Sequence, residues 1–167
     1  MSLTAHRHAA VKSVRVAIIT VTSTRILDND ESGKWIARAV IGHGHKVVEH
    51  RIAPDDQTGI CLIVQAVLKE HAPDVMLING GTGITPSDVT IEAVEPLFDK
   101  KLPAFSCLFA QLSFEQIDAA AVFSRACAGT IDSTLVFCMP GSKNACKLAV
   151  GELILPDLGH AVAHVRG

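Results

Sequence analysis

Residue types able to do chemistry gather in four short runs. Thr20-Val21-Thr22-Ser23-Thr24-Arg25 is rich in hydroxyls and is followed by Asp28, Asp30 and Ser32. Ala53-Pro54-Asp55-Asp56 pairs two carboxylates, Gly80-Gly81-Thr82-Gly83 precedes Asp88, and Pro140-Gly141-Ser142 forms the fourth run. Glycines let backbone amides approach a ligand, and helix N-termini direct free N–H groups at anions. Carboxylates beside phosphates usually work through Mg²⁺, because otherwise they repel the ligand. The set points to an anionic, phosphate-bearing ligand and a bound magnesium ion. Gly80 to Gly83 is neither a Walker A loop, lacking GK[ST], nor a dinucleotide GxGxxG. Each run also has a plain structural use. The glycines suit a tight turn, Ser142 and the Asp55-Asp56 pair suit helix caps, and Asp88 or Thr90 suits the cap of the helix after the glycine loop.

The segments between these runs explain how they meet. Ser13 to Val21 is β-branched and apolar on both faces, as for a strand covered on both sides. His45 to Ile52, Asp74 to Asn79 and Thr134 to Met139 read as further strands. Gly33 to Ile41 and Thr58 to His71 carry apolar residues at helical spacing, with Gly42 and Gly44 closing the first. Thr90 to Phe98 also reads as helix. Lys101 to Gly129 suggests a helix around Phe105, Leu108, Phe109 and Leu112, and another over Ala119 to Ala128. Helical spacing resumes through Leu148, Val150 and Leu153. Strands alternating with helices imply right-handed crossovers and a parallel sheet with helices on both faces. Ligands of such sheets bind beyond the carboxyl ends of the strands, and all four polar runs fall there.

Composition narrows the classes further. At 167 residues one domain is expected, and 49% hydrophobic against 19% charged residues excludes a disordered chain. A net charge of −2 without a basic stripe lacks the footprint of a nucleic-acid binder. No run approaches the roughly 20 uninterrupted apolar residues of a membrane span, so a cytoplasmic protein is expected. Residues 1–12 read as a polar, flexible leader ahead of a single domain over 13–167. The five cysteines lack CxxC spacing and read as small buried hydrophobes. His43, His45 and His50 do not converge on a metal, and His160 and His164 lack the glutamate of HExxH. No Ser-His-Asp or Cys-His order suggests nucleophilic catalysis.

The run from Leu77 to Ala93, LINGGTGITPSDVTIEA, closely resembles the signature of the MoaB/Mog family of molybdenum cofactor biosynthesis proteins. Thr20 to Arg25, Asp30-x-Ser32-Gly33, Pro54-Asp55-Asp56 and Met139-Pro140-Gly141-Ser142 extend the resemblance over about Val14 to Leu158. Length and the opening motif are closer to MoaB than to Mog. The resemblance implies a three-layer α/β/α sandwich with a mostly parallel sheet, assembling as a homotrimer or hexamer. It implies that molybdopterin is bound and that its terminal phosphate is adenylylated with Mg²⁺ and ATP. Asp88 and Asp55 match the family's functional aspartates and would hold Mg²⁺ or orient the reacting phosphate. Thr22, Ser23, Gly80, Gly81, Thr82, Gly83, Pro140, Gly141 and Ser142 would contact the pterin or nucleotide.

Three positions depart from the family pattern. Ser87 replaces an arginine, Ser23 replaces an aspartate common in MoaB members, and Ile91 replaces a proline. Loss of a planar cation and a carboxylate weakens the case for catalysis more than that for binding. The resemblance therefore implies a molybdopterin adenylyltransferase, with a non-catalytic molybdopterin-binding or assembly protein of the same pathway as the alternative. Phe105, Leu108, Phe109, Leu112 and Phe114 exceed the needs of one small sheet and are expected at an oligomer interface.

Overall fold

The computed structural model describes residues 11–167, so the expected leader lies outside the described residues up to residue 10. Val11 is tied down, its N–H donating to the Gly159 carbonyl at 3.0 Å. The strands are β1 (Arg15–Val21), β2 (Lys46–Ala53), β3 (Val75–Asn79), β4 (Lys100–Lys101), β5 (Cys127–Ile131) and β6 (Thr134–Met139). They form one sheet in the order β2-β1-β3-β6-β5-β4. β1 runs parallel to β2 and β3, and β3 runs parallel to β6. β5 and β4 complete the sheet antiparallel.

Every residue of β3 and β6 is buried, as is β1 beyond Arg15. That accounts for their unbroken apolar runs, because helices cover both faces. One face packs Val16, Ile18, Leu77 and Met139 against α1 (Glu31–Gly42), α4 (Pro103–Ile117) and the C-terminal helical run. The other packs Ala17, Ile19, Met76 and Ile78 against α2 (Gln57–His71) and α3 (Thr90–Val94). The result is the expected three-layer α/β/α sandwich. Each fully buried Ile, Leu or Val contributes roughly 1.5–3 kcal/mol to holding the layers together.

The C-terminal run comprises α5 (Lys143–Lys147), a wide π-type stretch (Leu148–Ile154), a 3₁₀ turn and α6 (Leu158–Arg166). Lys143–Arg166 is long and apolar enough, by length and composition, to cross a bilayer. Here it is a core helix, burying Cys146, Leu148, Val150, Ile154, Leu158 and Val162 against the sheet.

The middle of the chain corrects two expectations. Ala119 to Ala128 is not a helix: a 3₁₀ turn covers Asp118–Phe123, and β5 begins at Cys127. Pairing with β6 across a tight turn, with Asp132 at φ 50°, overrides the alanine-rich helical propensity. The sheet therefore has six strands where four were read. Phe105 and Phe109 are core residues, 7% and 2% exposed, stacked beside Phe137. Leu112 is partly buried against the same core. Leu108 and Phe114 do face outward, joined by Ile117, Val122 and Phe123.

Candidate functional site

Four parallel strands end at one edge, and backbone contacts lock their exits together. The Thr22 N–H donates to the Ala53 carbonyl at 2.8 Å, and the Gly80 N–H to the Met139 carbonyl at 3.0 Å. Asp55 N–H donates to Ser23 Oγ at 3.1 Å, joining the loops after β1 and β2. Gly80 sits at φ 98°, and a Cβ there would stand 2.3 Å from the Val21 carbonyl oxygen. A Cβ on Gly141 would lie 3.0 Å from the Gly80 Cα, so the third and fourth loops pass in near contact. Thr22, Ser23, Asp55, Gly80 to Gly83 and Pro140 to Ser142 thus share one edge.

Asp88 stands on the turn that leaves the glycine loop. Its Oδ2 accepts from the Thr85 N–H at 2.8 Å and the Thr85 hydroxyl at 2.7 Å. The Thr85 hydroxyl, opposed by partial burial and helped by the Thr85 and Gly83 N–H groups and Arg125, holds this carboxyl below its usual range. It is therefore a carboxylate at neutral pH. Neither Asp88 nor Thr90 caps α3, contrary to expectation: Val89 occupies the cap position without a side-chain bond. Asp88 is spent on its own turn, and Thr90 Oγ1 donates to the Gly80 carbonyl at 2.8 Å, supporting the loop from below. Asp56 and Ser142 are true caps, accepting from Gly59 and Ala145 N–H groups. Asp55, beside Asp56, is left off the α2 cap.

Beneath this edge lies a polar network built on Thr20, Asp30 and Ser32, read from the sequence as part of the ligand-facing set but here bonded within the protein. Asp30 is fully buried. It accepts from the Gly33 N–H at 3.0 Å and the Thr20 hydroxyl at 2.5 Å, and lies 3.0 Å from His50 Nε2. Burial raises its pKa, but the bonds from His50, Thr20 and Gly33 outweigh this and hold it at about 2. Thr20 Oγ1 in turn accepts from Asn79 Nδ2 at 2.9 Å. Ser32 Oγ donates to the Gly141 carbonyl at 2.8 Å. Asn79 Oδ1 and Thr82 Oγ1 are buried without a protein partner. A lone buried acceptor or hydroxyl costs about 1–3 kcal/mol, which suits a region that takes a ligand or ordered water.

Among the described residues, no three His, Cys, Asp or Glu side chains converge on a metal position. A cation at this edge would therefore rest on one or two carboxylates together with phosphate oxygens and water. That is the donor set Mg²⁺ favours, and Asp88, already ionised, fits it. The buried thiols offer no alternative chemistry. Cys138, hydrogen-bonded to Cys127 and buried, has its pKa raised, and burial pushes Cys146 up to about 12.

The fold and edge define a class: an α/β domain whose parallel strand exits build a glycine-lined, carboxylate-bearing edge. The family profile described as "Probable molybdopterin binding domain" matches residues 17–160. Molybdenum cofactor biosynthesis protein B of Bacillus cereus is 46% identical over 161 residues, covering 96% of this chain and 95% of that protein. The protein of the same name from Bacillus subtilis is 43% identical over 167 residues, covering 99% and 98%. A crystal structure of a molybdenum cofactor biosynthesis protein B superposes with a TM-score of 0.90 at 44% identity, over 94% of this chain and 98% of that one. The tungsten cofactor synthesizing protein MoaB from Pyrococcus furiosus superposes with a TM-score of 0.85 at 35% identity, over 95% and 100%. The chain belongs to the MoaB/Mog family of molybdenum cofactor biosynthesis proteins.

Proposed function

We propose that this chain binds molybdopterin at the strand edge and adenylylates its terminal phosphate with Mg-ATP. The observation that supports this most is the convergence of the glycine loop, Asp55, Asp88 and the Pro140-Gly141-Ser142 turn on one edge. An oxygen of the molybdopterin phosphate attacks the α-phosphorus of ATP and forms a new P–O bond. The bond from the α-phosphorus to the bridging oxygen breaks, and pyrophosphate leaves with the electron pair. Such transfer depends mainly on positioning and charge neutralisation. Gly81 and Thr82 present amides to phosphate, Gly80 and Gly83 shape the loop that carries them, and Thr22, Ser23, Pro140, Gly141 and Ser142 line the flanks. Asp88 and Asp55 are the carboxylates that would hold Mg²⁺, which when bound supplies neutralisation of phosphate charge. The working form is a homotrimer or hexamer in the cytoplasm.

A second reading, a non-catalytic molybdopterin-binding protein of the same pathway, draws on two features. Ser87 pairs its hydroxyl with Thr85 Oγ1 at 3.0 Å in place of a cation, and Asp88 Oδ2 is already engaged by Thr85. Incubation of the protein with molybdopterin, ATP and Mg²⁺, followed by mass detection of the pterin, separates the two. Adenylylated molybdopterin with pyrophosphate supports the first reading; bound but unmodified molybdopterin supports the second.

A further inference from the structure

Arg125 lies outside every motif of the sequence, on the link between the Asp118–Phe123 turn and β5. Its side chain nevertheless reaches back some 40 residues to the glycine loop. Nε donates to the Thr82 carbonyl at 3.0 Å and the Gly83 carbonyl at 2.9 Å. Nη2 donates to the Asp88 carbonyl at 3.1 Å, and Nη1 and Nη2 both reach the Glu92 carboxylate. One guanidinium therefore holds both ends of the loop that carries Asp88, together with the first turn of α3.

The peptide geometry turns this grip into an orientation. A trans peptide directs its C=O and N–H to opposite sides. Drawing the Thr82 carbonyl towards Arg125 turns the Gly83 N–H the other way, to the side of the Asp88 carboxylate, which it helps to hold below its usual range. The space is tight, since a Cβ on Gly83 would stand 2.7 Å from Asp88 Oδ2. Arg125 bonds this peptide unit on one side and Asp88 crowds it on the other. Glu92 neutralises the guanidinium, and each of its nitrogens already donates. Arg125 is therefore not the phosphate-facing cation whose family position Ser87 fills.

We infer that Arg125 is a positioning residue of the adenylyl-transfer site, clamping the glycine loop so that the Asp88 carboxylate and loop amides meet the phosphates in register. This rests on the function proposed above. The planar fork is essential to the role, because an ammonium is a point charge that cannot span three carbonyls and a carboxylate.

Arg125→Lys tests the clamp while keeping the charge. Amide hydrogen exchange across residues 82–88 should quicken by about tenfold or more, with β1, β3 and β6 as protected as in the wild type. Under the proposed reaction, kcat should fall by roughly 100-fold, the scale of a ~1 Å misplacement, with the KM for ATP little changed. Loop exchange and kcat both equal to wild type would overturn the inference, as would uniform loss of protection with kcat retained. Should the lysine variant not fold, Glu92→Gln releases only the carboxylate anchor. A selective rise in loop exchange then supports the clamp, and unchanged exchange contradicts it. A wild-type protein that forms no adenylylated pterin would sink the proposed reaction instead, leaving the exchange comparison to decide whether the clamp exists.

Discussion

His50 Nε2 lies 3.0 Å from Asp30 Oδ2, tying β2 to the N-terminus of α1 beneath the edge where the parallel strands end. The Asp30 carboxylate also receives the Thr20 hydroxyl and Gly33 N–H, so Asp30→Ala strands several donors at once. A loss of about 3 kcal/mol in unfolding free energy is expected by denaturant titration. The pH dependence has a definite sign. Asp30 moves from 3.8 to about 2 on folding, a depressed pKa. Its contribution, about 2 kcal/mol, is complete above pH ~4 and lost as pH falls through ~2. The alanine variant should lack that part of the acid limb.

Gly80→Ala should be costly for a local reason. Its φ of 98° strains any L-residue, and the new Cβ would stand 2.3 Å from the Val21 carbonyl oxygen. A drop of about 3 kcal/mol is expected, with ligand binding impaired even in folded protein. Thermal melting and molybdopterin titration would read both; wild-type behaviour in each would show that the loop does not need this geometry.

The elements nearest the site were legible because their signals are local. β1, α1, β2, α2 and β3 announce themselves by crowded β-branched residues or by helical spacing, and each lies within about two residues of its expected bounds. The polar strand exits followed from the parallel topology. β5 was not legible, because Cys127 to Ile131 lacks alternation and owes its conformation to β6. Neither was Arg125, a single arginine in an alanine-rich stretch whose partners lie at Thr82, Gly83, Asp88 and Glu92. Asp30 stood in the recognised motif, yet its role depends on His50, which only the strand register brings alongside.

The outer face of α4 and the turn after it expose Leu108, Phe114, Ile117, Val122 and Phe123, the last two at 75% and 59%. Apolar surface of this extent on one element is expected to be covered by another copy of the chain. Light scattering should return a trimer or hexamer, and Val122→Asp with Phe123→Asp should shift it towards about 18 kDa. A wild-type monomer at micromolar concentration would contradict this.

Two substitutions probe the charge at the site. Asp55→Asn should lower turnover, with the fold intact because Asp56 carries the α2 cap. Ser87→Arg restores a planar cation beside Asp88 and should raise turnover if phosphate charge limits the reaction. Initial rates of pyrophosphate release measure both. An unaffected Asp55→Asn enzyme would remove that residue from the mechanism.

Under the proposed reaction the Asp88 carboxylate serves phosphate transfer rather than its turn alone. Asp88→Asn keeps an oxygen to accept from Thr85 and exchanges the negative charge for a neutral amide. In that variant adenylylation under saturating Mg-ATP should fall by about 100-fold or more, while fold, oligomer size and molybdopterin binding are retained. Wild-type turnover in that variant would contradict it.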